Sequence, residues 1–243
     1  MKIEKEAVKT IAPKGQLRVA INLGNPVLAQ KNAETGALGG VSVRLAEIFA
    51  NKLGLAPEFI DFPAAGKVVE AVNHDEWDLA FLAIDPLRAR SILFTEPYVI
   101  IEGGYLVQAG SSLLCVDDVD KSGIRVAVNE NAAYDLYLSR TLQNAEIVRT
   151  PAKPGAVDLF FAQNLDVAAG IKSSLVQLAQ ENNRVRVLAG SFMQIKQAMA
   201  IPARAARAKT LMDSFIKEMI YSNFIKEELV NSGQDPAVAV TPE

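Results

Sequence analysis

The side chain best suited to ligand chemistry is Arg88, which follows an apolar stretch at residues 79–84. The stretch is typical of a buried strand, and Asp85 and Pro86 end it with a turn just before the arginine. In open α/β sheets, ligands gather beyond the carboxyl ends of the strands, where a guanidinium can hold a carboxylate through two parallel hydrogen bonds. This order of residues predicts a site that holds a small anion rather than one that breaks covalent bonds. The alternative is a surface arginine in a solvated ion pair, which is the commoner environment of an arginine.

The composition argues against several other kinds of site. The chain has one cysteine, Cys115, and one histidine, His74, so neither a zinc site nor a Cys-His nucleophile pair is expected. Cys115 is expected to pack as a small hydrophobe. The formal net charge of −3 argues against a nucleic-acid partner, which requires clustered Lys and Arg. The glycines within 36–40 lack the spacing of a phosphate loop, so no metal, nucleotide or flavin cofactor is predicted.

Apolar periodicity predicts an alternation of strands and helices that would place Arg88 at a sheet edge. The first predicted elements are a strand at 17–21, an amphipathic helix at 41–53 stopped by Gly54, a strand at 58–61, a helix at 67–72 and a strand at 79–84. This alternation predicts parallel strands joined by right-handed crossovers. A second alternation follows, with strands at 124–128, 146–149, 165–169 and 185–188 and helices at 132–142, 154–163 and 173–181.

Two long extended runs, at 98–107 and 193–202, separate these alternations from the rest of the chain. The adjacent Gly103 and Gly104 weaken a plain strand in the first run and predict a bend or a crossing between lobes. A final helix is predicted at 204–221.

The predicted division of the chain is two lobes joined by two hinge crossings. Residues 1–101 and 200–243 form the first lobe, and residues 102–199 form the second, inserted lobe. A few connecting residues can absorb the movement of such a hinge. The nearest approach to a basic cluster, Arg204, Arg207 and Lys209, is predicted to lie on a solvated helix face.

Several motifs resemble those of one known family, the solute-binding receptors of polar amino-acid ABC importers. The motifs are Leu17-Arg18-Val19-Ala20-Ile21, Gly40-Val41, Trp77-Asp78, Ile84-Asp85-Pro86-Leu87-Arg88, Phe94-Thr95-Glu96-Pro97-Tyr98 and Arg125-Val126-Ala127-Val128. The resemblance runs from Leu17 to about Phe224. It implies an α/β fold of the two-lobed periplasmic-binding-protein-like II (Venus-flytrap) type, in which each lobe has a mixed sheet flanked by helices. It also implies that a small ligand is captured between the lobes by domain closure.

The resemblance assigns ligand-binding roles to particular positions. The arginine matching Arg88 holds the ligand's carboxylate. Ala83 and Ala132 stand where small hydroxyl residues are usual, and their backbone amides are expected to donate instead, with Ala132 at a helix N-terminus. The other candidates near the ligand are Phe81, Asn22, Asn25 and Asn131. Asn22 and Asn25 can also be plain turn formers, Phe81 a buried strand residue, and Asn131 part of a simple turn.

One departure from the family pattern concerns the ligand's ammonium group. The family's acidic partner should follow Asp166 by two to five residues, but this chain has Ala168, Ala169, Gly170 and Ile171 and then Lys172. A buried ammonium without a counter-charge costs several kcal/mol, on the order of 2–5. A carboxylate that lacks the amino group is therefore expected to fit better, with Lys172 or Lys67 supplying additional positive charge.

The leading hypothesis is a non-enzymatic receptor whose partners are a small carboxylate ligand and ABC permease subunits, and a monomer is expected. The first alternative is a dehydratase of the cyclohexadienyl dehydratase type, with Glu130 as the general acid. The second is a ligand-sensing domain without a role in transport. Residues 1–6 show no apolar run of signal-peptide length, so the chain is expected either to work in the cytoplasm or to reach the periplasm after removal of an export signal.

Overall fold

The computed structural model describes residues 5–151 and 153–242, and the Lys5 side chain is not described. Residues 1–4, 152 and 243, which belong to the predicted lobes, lie outside the described residues. The chain divides into two compact units. The first unit runs up to Ile100 and resumes at Lys196, and the second unit is Ile101–Ile195.

The described residues form short strands and helices in alternation. The strands are β1 Leu17–Asn22, β2 Gln30–Lys31, β3 Leu38–Gly39, β4 Pro57–Phe62, β5 Leu79–Ala83, β6 Ile92–Phe94, β7 Val99–Gln108, β8 Arg125–Asn129, β9 Glu146–Thr150, β10 Val167–Ile171, β11 Val185–Val187 and β12 Met193–Pro202. The α-helices are α1 Lys5–Ile11, α2 Val41–Leu53, α3 Ala65–Ala71, α4 Ala133–Thr141, α5 Ala156–Ala162, α6 Lys172–Glu181, α7 Lys209–Tyr221 and α8 Phe224–Asn231. Short 3₁₀ segments lie at Val72–His74, Arg88–Arg90, Val116–Asp118, Ala203–Ala208 and Pro236–Val238.

The sheet of the first unit has the order β4, β1, β5, β12, with β6 also beside β12. β1 is parallel to both β4 and β5, as the alternation predicts, and β12 is antiparallel to β5 and β6. All of β5 is buried, because helices and loops cover both of its faces. The carboxyl ends of β1, β4 and β5 therefore lie at one edge of the sheet, where Arg88 was predicted.

The sheet of the second unit has the order β7, β10, β8, β9. β8 is parallel to β9 and β10, whereas β7 is antiparallel to β10 and to β11. Its core includes residues of the sheet and of α5 and α6, and Phe160 of α5 is fully buried in it. The predicted elements of this unit are present, with ends that differ by up to two residues.

β7 continues through Gly103 and Gly104, so the strand is not interrupted at the glycines, and the division into two compact units falls just before them, between Ile100 and Ile101. The role of the two glycines is close packing. A Cβ on Gly103 would lie 2.8 Å from ring atoms of Phe192, and one on Gly104 would lie 3.1 Å from the Cβ of Lys172. Both neighbouring residues belong to the second unit.

The predicted solvated face is confirmed for Arg204 and Arg207, which are exposed, while Lys209 is partly buried. The first two residues lie in a 3₁₀ segment rather than in an α-helix. A 3₁₀ turn with non-helical dihedral angles at Ala205 precedes α7. This turn brings the Arg204 guanidinium to Asp78, with Nη2 2.7 Å from Oδ1. Asp78 is fully buried and also accepts from Nε and Nη2 of Arg18 at 2.9 and 2.7 Å, and these hydrogen bonds raise the pKa of Arg18. Arg204 thus belongs to an ion network around the buried Asp78, at the amino ends of β1 and β5, while its own side chain stays 36% exposed.

Candidate functional site

Arg88 begins the 3₁₀ turn that follows β5, and its side chain is buried. The residue is only 2% exposed, and its Nη1 donates to the Ala83 carbonyl oxygen at 3.1 Å. Burial lowers the pKa of the guanidinium to about 10, and the Asp85 carboxylate opposes this shift. Arg88 therefore remains charged at pH 7. Arg88 is therefore not a surface arginine in a solvated ion pair, which was the alternative interpretation.

Asp85 is a functional candidate that was missed in the sequence reading. It is buried, and its Oδ1 accepts from the Leu87 N–H at 2.8 Å, which closes the turn before Arg88. Its charge also acts on the Arg88 guanidinium. The Asp-Pro pair signals the turn in the sequence, but no local pattern shows that this carboxylate is buried beside an arginine.

Asn22 and Asn25 occupy the loop after β1, at the same sheet edge. Asn22 Oδ1 accepts from the Gly24 N–H at 3.0 Å, and Asn25 Oδ1 accepts from the Val27 N–H at 3.2 Å. The Asn25 carbonyl oxygen also accepts from the N–H groups of Leu28 and Ala29 at 3.1 and 3.2 Å. Both residues are thus turn formers, as one alternative predicts, and their amide oxygens are already engaged.

Phe81 and Ala83 lie on β5 itself. Phe81 is buried and meets the Tyr98 ring edge to face, with 6.2 Å between the ring centroids. The Tyr98 hydroxyl lies 3.1 Å from Ser42 Oγ, and burial raises its pKa. Phe81 occupies the buried strand position that one alternative describes. The contact of Ala83 with Arg88 is made by its carbonyl oxygen, which accepts a hydrogen bond from the guanidinium.

Lys67 lies on the first turn of α3, where its side chain is 63% exposed. Its Nζ is 2.7 Å from Glu70 Oε2. The two residues line a shallow surface cavity of about 330 Å³, together with Phe62, Pro63, Ala71, His74 and Glu76. The charge that Lys67 was expected to bring to the ligand is therefore balanced locally by Glu70.

The remaining candidates belong to the second unit, and their polar groups have partners there. Asn131 has a left-handed backbone, with φ of 59°, and its N–H donates to Asp135 Oδ2 at 2.8 Å. The Ala132 N–H donates to the Asn129 carbonyl oxygen at 3.1 Å. Ala132 therefore precedes α4 as predicted, but its N–H is used inside the turn. Glu130 is exposed, and its backbone N–H donates to the Thr150 carbonyl oxygen at 2.8 Å.

Lys172 begins α6 directly after β10. Its Nζ lies 2.7 Å from Glu102 Oε2, and Ser191 Oγ donates to the other Glu102 oxygen at 3.1 Å. Upstream, Asp166 Oδ2 accepts from the Arg125 N–H at 2.8 Å, which is the structural role the resemblance implies. No carboxylate occurs along β10, so the described residues provide no acid where the family pattern requires one.

Comparisons with known proteins identify the family of the chain. A sequence profile of the bacterial extracellular solute-binding proteins, family 3, matches residues 17–228. The chain belongs to this family. A search of curated proteins gave no match. None of the described helices is long and apolar enough to cross a membrane.

Solved structures agree on the fold. A mutant of ArgBP from T. maritima is 18% identical, with a TM-score of 0.77 over 93% of this chain and 99% of that chain. The amino acid ABC transporter substrate-binding protein AbpA from Streptococcus pneumoniae, bound to L-arginine, is 18% identical, with a TM-score of 0.78 over 92% and 97%. The ancestral amino acid-binding protein AncCDT-1, a precursor of cyclohexadienyl dehydratase, is 19% identical, with a TM-score of 0.74 over 92% and 97%. The predicted family and the periplasmic-binding-protein fold are confirmed.

Proposed function

We propose that the chain is the solute-binding receptor of an ABC importer and that it captures a small carboxylate-bearing ligand, either an amino acid or a related organic acid. The family match supports the receptor class. The ligand's carboxylate binds at the edge of the first sheet, where β5 presents Arg88. The permease subunits of the importer are the proposed protein partners, the periplasm is the proposed compartment, and the receptor is proposed to be a monomer.

The observation that carries this proposal is the charged and buried Arg88. An arginine is costly to bury unless hydrogen bonds and opposite charge compensate for the lost water. Here one nitrogen is held by the Ala83 carbonyl, which fixes the plane of the guanidinium. A fixed, planar set of N–H donors suits the two oxygens of a carboxylate.

The test is a thermal-shift screen of small carboxylates with and without amino groups, followed by variants of Arg88. A ligand that binds only the native state raises the melting temperature. Arg88→Ala should abolish this rise, and Arg88→Lys should retain at most a small part of it, because an ammonium lacks the planar pair of donors. Arg90→Ala is the matched control, since Arg90 lies exposed in the same 3₁₀ turn.

Circular dichroism of each variant establishes that it is folded before its binding is compared. If folded Arg88→Ala binds the ligand as tightly as the parent protein, the proposal is wrong.

A second candidate function is the elimination of water from a small cyclic acid. The likeness to AncCDT-1 favours it, since that protein is a precursor of cyclohexadienyl dehydratase. Glu130 is the proposed general acid, and its side chain is exposed. Incubation with prephenate or arogenate tests this function directly. Formation of an aromatic product that Glu130→Gln abolishes would support the dehydratase over the receptor.

A further inference from the structure

The segment that follows α8 returns to the start of β7. Residues 234–240, here called the C-terminal strap, end beside the point where the chain leaves the first unit. Ala239 forms an antiparallel β-bridge with Val99, and the Val240 N–H donates to the Tyr98 carbonyl oxygen at 3.0 Å. Tyr98 and Val99 directly precede Ile100, after which the chain enters the second unit. The strap therefore contacts the backbone of the first crossing on the side of the first unit.

The C-terminal strap has a defined conformation of its own. The Gln234 N–H donates to the Leu229 carbonyl oxygen at 2.8 Å, which ties the start of the strap to α8. Asp235 Oδ1 accepts from the Ala237 N–H at 2.8 Å and caps the 3₁₀ turn that follows. Ala239 is only 8% exposed. The strap is thus an ordered part of the first unit, tied at its start to α8 and at its end to Tyr98.

Tyr98 is also held from two other directions within the first unit. Its N–H donates to the Gln197 carbonyl oxygen of β12 at 2.9 Å. Its side chain is fully buried, and the hydroxyl lies 3.1 Å from Ser42 Oγ on α2. Loss of the strap would therefore leave the Tyr98 side chain and N–H anchored and would loosen the backbone on the carbonyl side, next to the crossing.

Resting on the proposed function and on the closure of the two units that the family resemblance implies, we propose that the C-terminal strap restrains the first crossing before ligand binding and thereby raises ligand affinity. Binding that orders a mobile segment costs conformational entropy, and a segment that is already ordered costs less. With the strap in place, Tyr98 and Val99 are ordered before a ligand arrives. Without it, part of the binding free energy is spent on ordering them.

Val240→Pro is the variant that tests the strap. Proline has no N–H, so it cannot donate to the Tyr98 carbonyl oxygen. The preceding Ala239 has φ of −67° and ψ of 137°, a conformation that a following proline accepts. The substitution therefore removes one hydrogen bond with little other strain. Thr241→Pro is the matched control, since Thr241 is exposed and lies one residue beyond the strap.

The first measurement is hydrogen exchange with mass spectrometry on the ligand-free protein. Amides in a peptide covering 98–102 should exchange about three- to tenfold faster in Val240→Pro, which corresponds to the net loss of one hydrogen bond. Amides of the buried β5 should be unchanged, because the opening is local and not global. Thr241→Pro should exchange like the parent protein in both segments.

The second measurement is isothermal titration with two probes, L-glutamate, which carries an amino group, and glutarate, which does not. A probe that binds the parent protein should bind Val240→Pro about three- to tenfold more weakly and Thr241→Pro equally well. If Val240→Pro does not fold, Asp235→Ala replaces it. Asp235 is exposed, and loss of its cap loosens the strap, so both readouts should change in the same direction by a smaller factor.

Two results overturn the inference. One is exchange at 98–102 that is as slow in Val240→Pro as in the parent protein. The other is a probe whose affinity differs by less than twofold between the two proteins. The proposed function is judged separately by Arg88→Ala, which should abolish binding of both probes with the strap intact. If neither probe binds the parent protein, the proposed function fails for these carboxylates, and the exchange at 98–102 still decides whether the strap restrains the crossing.

Discussion

At the scale of single residues, the sequence identifies the arginine but not its surroundings. The apolar run, the turn and the arginine are local, so the position of Arg88 after a buried strand could be predicted from residues 79–88 alone. The burial of Asp85 and the orientation of the Asn25 amide depend on neighbours brought together by folding. For the same reason, the sequence does not show that Lys67 is paired with Glu70 or that Lys172 is paired with Glu102.

Asp85 is expected to compete with the ligand for the positive charge of Arg88. Asp85→Asn keeps an oxygen for the Leu87 N–H but removes a buried negative charge that acts on the guanidinium. We expect carboxylates to bind Asp85→Asn more tightly, by roughly tenfold, which corresponds to about 1.4 kcal/mol. Isothermal titration measures the change.

The matched control is Asp61→Asn, since Asp61 lies at the same end of the first unit in an exposed ion pair with Lys31. Its affinity should equal that of the parent protein. Equal or weaker binding by Asp85→Asn would show that this carboxylate supports the arginine rather than competing with the ligand.

At the scale of elements, local sequence signals predict a helix well where its apolar face and its end residues lie within the helix or next to it. For α2, the apolar face at Val41, Leu45, Phe49 and Leu53 is buried, and Gly54 ends the helix with φ of 70°. The prediction fails at residues 203–208, where an alanine-rich segment has high helix propensity. Tertiary contacts prevail there, because Arg204 reaches the buried Asp78 and the backbone follows a 3₁₀ path.

The glycines of β7 provide a test at this scale. Gly103→Ala would place a methyl group 2.8 Å from the Phe192 ring, which stacks on Tyr105 with centroids 4.4 Å apart. Overpacking of this kind typically costs about 1–3 kcal/mol, so the free energy of unfolding in urea should fall by that amount. Gly110→Ala should be nearly neutral, since no atom lies within 4 Å of the added Cβ. If Gly103→Ala leaves the free energy of unfolding unchanged, close packing is not the role of this glycine, and a hinge role becomes the better explanation.

At the scale of the whole molecule, alternation of elements predicts the parallel pairs but not the strand that completes the first sheet. β1 pairs with β4 and β5 as the order of elements requires. β12 lies antiparallel to β5, although a complete second unit separates the two strands in the sequence. No local pattern links residues that far apart, so this pairing could not be derived from the sequence.

Ligand binding should be visible across the molecule as slower amide exchange in two separate segments. If the ligand contacts the loops after β1 and β5, peptides covering 22–29 and 83–91 should exchange more slowly at short labelling times. Peptides from α7 and α8, which lie outside the proposed site, serve as the internal reference. Hydrogen exchange with mass spectrometry measures both. Protection confined to α7 and α8 would contradict the proposed location of the site.

β12 lies far after β5 in the chain, so during synthesis the edge of β5 that carries Arg88 can be completed only late. The Ile84 N–H donates to the Lys196 carbonyl oxygen at 2.9 Å, and Ala83 pairs with Gln197, so the segment that carries Arg88 is anchored by residues translated far later. A nascent chain that ends within the second unit lacks this anchor. Long-range pairing of this kind forms slowly. In the unfinished chain on the ribosome, the edge of β5 therefore stays unpaired until β12 emerges. During that time the hydrophobic β5 is exposed to misassembly or to chaperones.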